Sequence, residues 1–172
     1  MDSFDFGFGG PRLPFSGITA SHAAVARAYG DLLNSVALPV VVLNNYWQIV
    51  FANRDFLRLF PVGKEDDILG QRIGEVLGCS NSSLSVSGCG TSPGCRVCDL
   101  GGALYAALFD DLDSGTRAVR TGAGSALERA ELACRFFSMG EDMMRVCTFV
   151  NVGLRDAAEA QHAGEYAPSQ EM

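Results

Sequence analysis

Residues 38–56 read Leu-Pro-Val-Val-Val-Leu-Asn-Asn-Tyr-Trp-Gln-Ile-Val-Phe-Ala-Asn-Arg-Asp-Phe, and this stretch decides the fold. Its first six residues are apolar and mostly β-branched, which is typical of a buried strand. Asn44-Asn45 is a turn signal, and a second apolar run follows over residues 46–52. The stretch therefore predicts a hairpin of two strands, 38–43 and 46–52, followed by a helix from Asn53 to Leu59.

The last third of the chain predicts more antiparallel sheet, with strands over residues 116–121, 126–139 and 143–152. Gly140-Glu141 has glycine in the first central position that a two-residue type II′ hairpin requires. That turn sets Cys134 directly opposite Cys147, on one face of the sheet. Two interpretations stay open for this pair, a cross-strand thiol pair or, as we favour, two small apolar residues filling the core.

The remaining segments predict helices and tails. A flanking helix spans residues 19–35, with Thr19 or Ser21 as its cap, and a shorter helix spans residues 67–77. Asp99 is a suitable N-cap for a helix over residues 100–112. The predicted layout is a disordered tail over 1–18, the flanking helix, a domain over 36–153, and a polar tail or short helix over 154–172. The flanking helix carries an apolar stripe that either covers its own domain or forms a dimer contact: Ala24, Val25, Ala28, Tyr29, Leu32 and Leu33.

Four cysteines, Cys79, Cys89, Cys95 and Cys98, lie in a stretch of glycine, serine and other small residues that we call the cysteine loop (residues 78–98). Four thiolates complete the first shell of a tetrahedral zinc ion or of an iron–sulfur cluster. The Cys95-x2-Cys98 spacing suits chelation, because a tight turn aims both sulfurs at one ion. Two disulfides or four inert thiols are the alternatives. We predict that these four residues, the cysteine quartet, bind a metal.

Composition limits the possible functions. The N-terminus is acidic where a signal peptide is basic, and the longest apolar run is far too short to span a membrane, so we predict a cytoplasmic chain with reduced thiols. The net charge of −7, from 20 acidic and 13 basic residues, disfavours nucleic acid and anionic membrane as partners. The two histidines, His22 and His162, lie outside the predicted sheet. No catalytic constellation stands out, so we expect no enzyme.

The order of these elements resembles a PAS domain over residues 36–153. The similarity is carried by four segments: residues 38–43, 49–56 with an Asn at the end of the second strand, 68–77 and 145–152. The resemblance implies an α+β PAS fold, with a five-stranded antiparallel sheet, short helices on one side and an N-terminal helix. The cysteine loop is also similar to a cysteine-containing subgroup found in bacterial sensor histidine kinases.

The resemblance implies a sensory or regulatory module that signals to a partner protein. Some oxygen-sensing kinases of this kind hold a [4Fe–4S] cluster on four PAS cysteines, although there the cysteines form two Cys-x2-Cys pairs. By this resemblance the cysteine quartet would hold a [4Fe–4S] cluster for redox or oxygen sensing, and a structural Zn²⁺ site is the alternative. Haem on a histidine and the flavin-adduct motif of PAS photosensors do not fit this sequence. A homodimer through the flanking helix is the further expectation.

Overall fold

The computed structural model describes residues 12, 14–60, 63–106, 117–121 and 125–156. They form one five-stranded sheet of order β2-β1-β5-β4-β3, in which every neighbouring pair is antiparallel. The predicted fold class, α+β with a five-stranded antiparallel sheet and an N-terminal helix, is confirmed. The elements in chain order are α1 (Phe15–Ser35), β1 (Val40–Leu43), β2 (Ile49–Ala52), α2 (Arg54–Leu59), α3 (Glu65–Ile68), α4 (Ile73–Val76), α5 (Ser80–Ser83), a 3₁₀ helix (Pro93–Val97), α6 (Asp99–Ala106), β3 (Arg117–Arg120), β4 (Leu127–Met139) and β5 (Asp142–Leu154).

The two faces of the sheet carry different helices. Phe149 on β5 contacts the rings of Phe56 and Phe60 at α2. Helix α1 packs on the opposite face, where His22 stacks on Phe51 of β2 and Tyr29 meets Phe137 of β4 edge-on. Successive strand residues point to opposite faces of the sheet. Because α2 packs on one face and α1 on the other, both faces are covered. No helix in the described part of the chain is long and apolar enough to cross a membrane.

The predicted β4–β5 register is confirmed. Met139 pairs with Asp142 and Cys134 with Cys147, and Gly140 has the positive φ, 64°, that the turn requires. The two cysteines are joined as a disulfide, with their Cα atoms 4.2 Å apart. The preferred interpretation as two inert core thiols is therefore wrong, and so is the expectation of reduced thiols for this pair, because the register brings both side chains to one face within bonding reach.

Strand β2 begins at Ile49 rather than Tyr46, because residues 44–47 form the turn, in which Trp47 takes φ 62°. Three further predicted boundaries differ for tertiary reasons. Helix α1 begins at Phe15 rather than Thr19, because Ile18 in its first turn is buried in the hydrophobic core. The predicted helix 67–77 is two helices, since Gly70 takes φ 79° and bonds to Ile49 of β2. Leu154 ends β5 by pairing with Leu127 instead of starting a helix. The predicted tails over 1–11 and 157–172, and the end of helix 100–112 beyond Ala106, lie outside the described residues.

Asn53 joins three elements at the edge of the sheet. Its side chain is fully buried, and its Oδ1 accepts hydrogen bonds from the N–H groups of Val40 and Phe56, both at 2.9 Å. Its Nδ2 donates to the carbonyls of Leu33 at 3.0 Å and Leu38 at 2.8 Å. One amide therefore ties the end of α1 and its linker to β1 and to the start of α2.

Candidate metal centre

The cysteine quartet is delivered by short helices and glycine turns. Cys79 is the N-cap of α5, and its N–H donates to the carbonyl of Gly74 in α4 at 2.8 Å. Cys89 lies between two glycines with positive φ, which let the chain turn sharply on both sides of it. Cys95 lies within the 3₁₀ helix, and Cys98 is its C-cap, immediately before α6.

Small residues allow the sulfurs to approach the backbone. A Cβ atom placed on Gly74 would lie 2.5 Å from Cys89 Sγ and 3.7 Å from Cys79 Cβ. One placed on Gly101 would lie 3.8 Å from Cys98 Cβ. The absence of a side chain at Gly74 therefore makes room for the Cys89 sulfur, whereas the distances to Cys79 and Cys98 are ordinary van der Waals contacts.

Hydrogen-bond donors surround the sulfurs. The N–H of Gly90 donates to Cys95 Sγ at 3.3 Å, and Ser92 Oγ lies 3.2 Å from the same sulfur. Backbone N–H groups also reach two of the other sulfurs, that of Gly74 reaching Cys89 and those of Leu100 and Gly101 reaching Cys98. Donors of this kind stabilise thiolates and tune the potential of iron–sulfur clusters. The loop therefore has the polar surroundings that a thiolate metal site needs.

The thiols are buried and close enough to influence one another. Burial, together with negative charge on Cys95, Cys98 and Cys79 and against the effect of the Gly74 N–H, raises the pKa of the Cys89 thiol to about 12. Burial also raises the pKa of Cys98, with smaller contributions from Cys79 and Cys95. The four thiols are therefore close enough to influence one another's titration, and four thiolates there would need a neighbouring cation.

All four members of the quartet are free thiols, so the alternative of two disulfides within the loop is not what the structure contains. Within the described ranges, no group of three or more His, Cys, Asp or Glu side chains is arranged so that it could hold a metal ion. The quartet would therefore have to close around an ion by side-chain movement, as is usual where metal binding and local folding are coupled.

Sequence reasoning missed the charged residues that hold the loop in place. Arg72, at the N-cap of α4, is 1% exposed, and its guanidinium bonds to carbonyls of the loop. Glu75 follows three residues later, and its carboxylate accepts the Arg72 N–H, as in a capping box. The three-residue spacing of Arg72 and Glu75 could have predicted the capping box from the sequence. A capping box does not reveal that these two side chains also contact the cysteine loop.

The histidines offer no partner for a nucleophilic cysteine in the described part of the chain. His22 lies on α1, where its Nδ1 is 3.0 Å from the carbonyl of Val50 and 3.8 Å from a Glu65 carboxylate oxygen. That position is on the sheet face that α1 covers. His162 lies outside the described residues.

Comparison with known proteins gives neighbours in structure only. No protein-family model matches the chain, and no match was found among curated proteins. One similar solved structure is a domain of a two-component sensor histidine kinase, with TM-score 0.44 and 13% identity over 81% of this chain and 99% of that one. Another, from an HTR-like protein of Haloarcula marismortui, has TM-score 0.40 and 13% identity over 78% and 93%. Both are PAS domains. The fold assignment itself rests on the strand order and register described above.

Proposed function

We propose that the chain is a cytoplasmic sensory or regulatory PAS module, without catalytic activity, that holds a [4Fe–4S] cluster on the cysteine quartet and signals to a partner. The observation that carries the proposal is the gathering of four free, largely buried thiols among backbone N–H donors. Soft thiolate donors suit iron–sulfur clusters and zinc, and the chain offers no competing oxygen-rich set in this loop.

The residues fit such a group by their chemistry. The quartet supplies four sulfurs, the glycines leave room beside them, and the N–H groups stabilise their negative charge. A bound cluster would supply a reversible one-electron change or oxygen-sensitive loss. The chain's own part is to hold the sulfurs, limit access of water to Cys79 and Cys95, which are 8% and 7% exposed, and carry a change in the loop to its neighbours.

The test is metal, iron and sulfide analysis of protein purified without oxygen. A brown sample absorbing near ~400 nm, with about four iron atoms per chain, is the expected result. Serine substitution of any quartet member should abolish the colour, whereas Cys134→Ser is the matched control and should retain it. Protein without iron would refute the proposed cluster.

A structural Zn²⁺ site on the same four cysteines is the second candidate, because zinc is the usual occupant of structural four-thiolate sites. A colourless sample with about one zinc per chain would decide for it. In that case the module would serve protein interaction, since zinc undergoes no redox change.

We also propose that two copies associate through α1. This helix buries Ile18 and Val25 against its own domain and leaves Phe15, Tyr29 and Leu32 at 65%, 39% and 64% exposure. Exposed apolar side chains on one helix favour a contact with another chain. Light scattering should give the mass of a dimer, and Leu32→Glu should give a monomer; a monomeric wild type at high concentration would contradict this contact.

A further inference from the structure

Arg72 fastens the cysteine loop to the hairpin turn between β1 and β2. Its Nε donates to the carbonyl of Tyr46 at 3.0 Å, and its Nη1 donates to the carbonyls of Ser87 at 2.9 Å and Cys89 at 3.1 Å. The backbone on both sides of Gly88 is therefore attached to one buried guanidinium. Burial lowers the pKa of Arg72, with Arg12 adding to the effect and Glu75 opposing it.

Glu75 connects the same segment of the loop to the N-terminal side of the chain. Its carboxylate accepts hydrogen bonds from the N–H of Arg72 at 3.0 Å and of Cys89 at 3.4 Å. Both terminal nitrogens of the Arg12 guanidinium also donate to it, and Arg12 donates to the carbonyl of Ser87 at 3.2 Å. The Glu75 and Arg12 side chains are 18% and 36% exposed, so the pair is partly shielded from solvent. Such two-point pairs are the stronger class of ion pair.

Arg12 lies just ahead of α1, whose first turn has little local support. The N-cap is Pro14, which makes no side-chain capping bond, and the first turn has no acidic residue. Side-chain caps normally stabilise this end of a helix. Contacts beyond the helix therefore stabilise the start of α1, namely the burial of Ile18 and the ion pair of Arg12 with Glu75.

We propose that Glu75 couples the state of the cysteine loop to the beginning of α1 through Arg12, an inference that rests on the proposed metal centre. The N–H of Cys89 and the carbonyl of Ser87 both belong to the loop and both bond to the Arg12–Glu75 pair. When the quartet closes around an ion, residues 87–89 rearrange and these two contacts change. The Arg12–Glu75 pair then loosens and frees the first turn of α1, the helix that presents the exposed apolar residues.

Amide hydrogen exchange of residues 15–20 in the full chain measures this coupling. In the wild type, binding of the metal should speed exchange about fivefold, the size expected when one partly exposed ion pair is lost. Arg12→Gln should show the fast rate with and without metal, at unchanged metal content. Arg27→Gln, on the exposed side of the same helix, is the matched control and should behave as the wild type.

Gly88→Ala tests the coupling without any metal. A Cβ there would run into the Glu75 carboxylate and the Arg12 guanidinium, so the start of α1 should exchange faster even in metal-free protein. If the wild type binds no metal, the proposed function fails, while this variant still decides the coupling. Wild-type exchange rates in both folded Arg12→Gln and folded Gly88→Ala would overturn the inference.

Discussion

Gly74→Ala tests whether the Cys89 sulfur must lie against the backbone of α4. The added Cβ would lie 2.5 Å from Cys89 Sγ and 3.0 Å from Cys89 Cβ. Unstrained contacts between heavy atoms of this kind are about 3.5–4.0 Å. The sulfur therefore has to retreat by roughly 1 Å, since a helix backbone yields less readily than a loop.

The expected loss of stability is small, whereas the expected loss of metal is large. Forcing a methyl group into a packed site costs about 1–3 kcal/mol, and alanine in a helix returns up to about 1 kcal/mol relative to glycine. The free energy of unfolding of the metal-free protein should thus fall by about 0–2 kcal/mol. Metal ligands tolerate displacements of only about 0.2 Å, so metal affinity should fall at least as far as the ~10–100-fold that loss of a supporting group causes.

Metal content per chain, a chelator competition and urea unfolding of the metal-free protein separate the two effects. Gly102→Ala is the matched control, because a Cβ on this glycine of α6 meets nothing within 4 Å. It should keep its metal and gain up to about 1 kcal/mol. Wild-type metal content and chelator resistance in Gly74→Ala would refute the placement of Cys89 as a ligand.

Three further predictions concern the fold and its thiols. Asn53→Ala should lower the free energy of unfolding by about 3 kcal/mol or more, because several buried partners lose their hydrogen bonds. Asn34→Ala, which loses one exposed hydrogen bond, should lower it by about 1 kcal/mol or less. Equal urea midpoints for the two variants would contradict this prediction. Thiol titration of denatured, metal-free protein should count four thiols without reductant and six with reductant. Reduction of the Cys134–Cys147 disulfide should lower the free energy of unfolding by about 3 kcal/mol. Six thiols without reductant would contradict the disulfide. Burial raises the pKa of Cys89 from 9.0 to about 12. The stability that the protonated thiol contributes to metal-free protein is therefore complete below about pH 9 and is lost as the pH rises toward 12. A urea midpoint that does not fall over this range, or that falls equally in Cys89→Ser, would count against this prediction.

Local signals were sufficient wherever neighbours in sequence are neighbours in space. The β-branched run before Asn44 predicted β1, and Gly140-Glu141 predicted the turn and with it the pairing of Cys134 with Cys147. A hairpin register follows from turn length, which the chain encodes over a few residues. The metal-binding role of the cysteine quartet, inferred from residue type and loop composition, stays a prediction.

Contacts between distant segments decided what the sequence left open. Helix α1 begins earlier than predicted because Ile18 is buried. The predicted helix 67–77 is two helices because Gly70 donates a hydrogen bond to Ile49 of β2. The contacts of Arg12, Arg72 and Glu75 with the cysteine loop join positions up to 75 residues apart in sequence. A charged side chain has the same local pattern whether it is solvated or binds a distant carbonyl, so only the packing of the whole chain determines which of the two occurs.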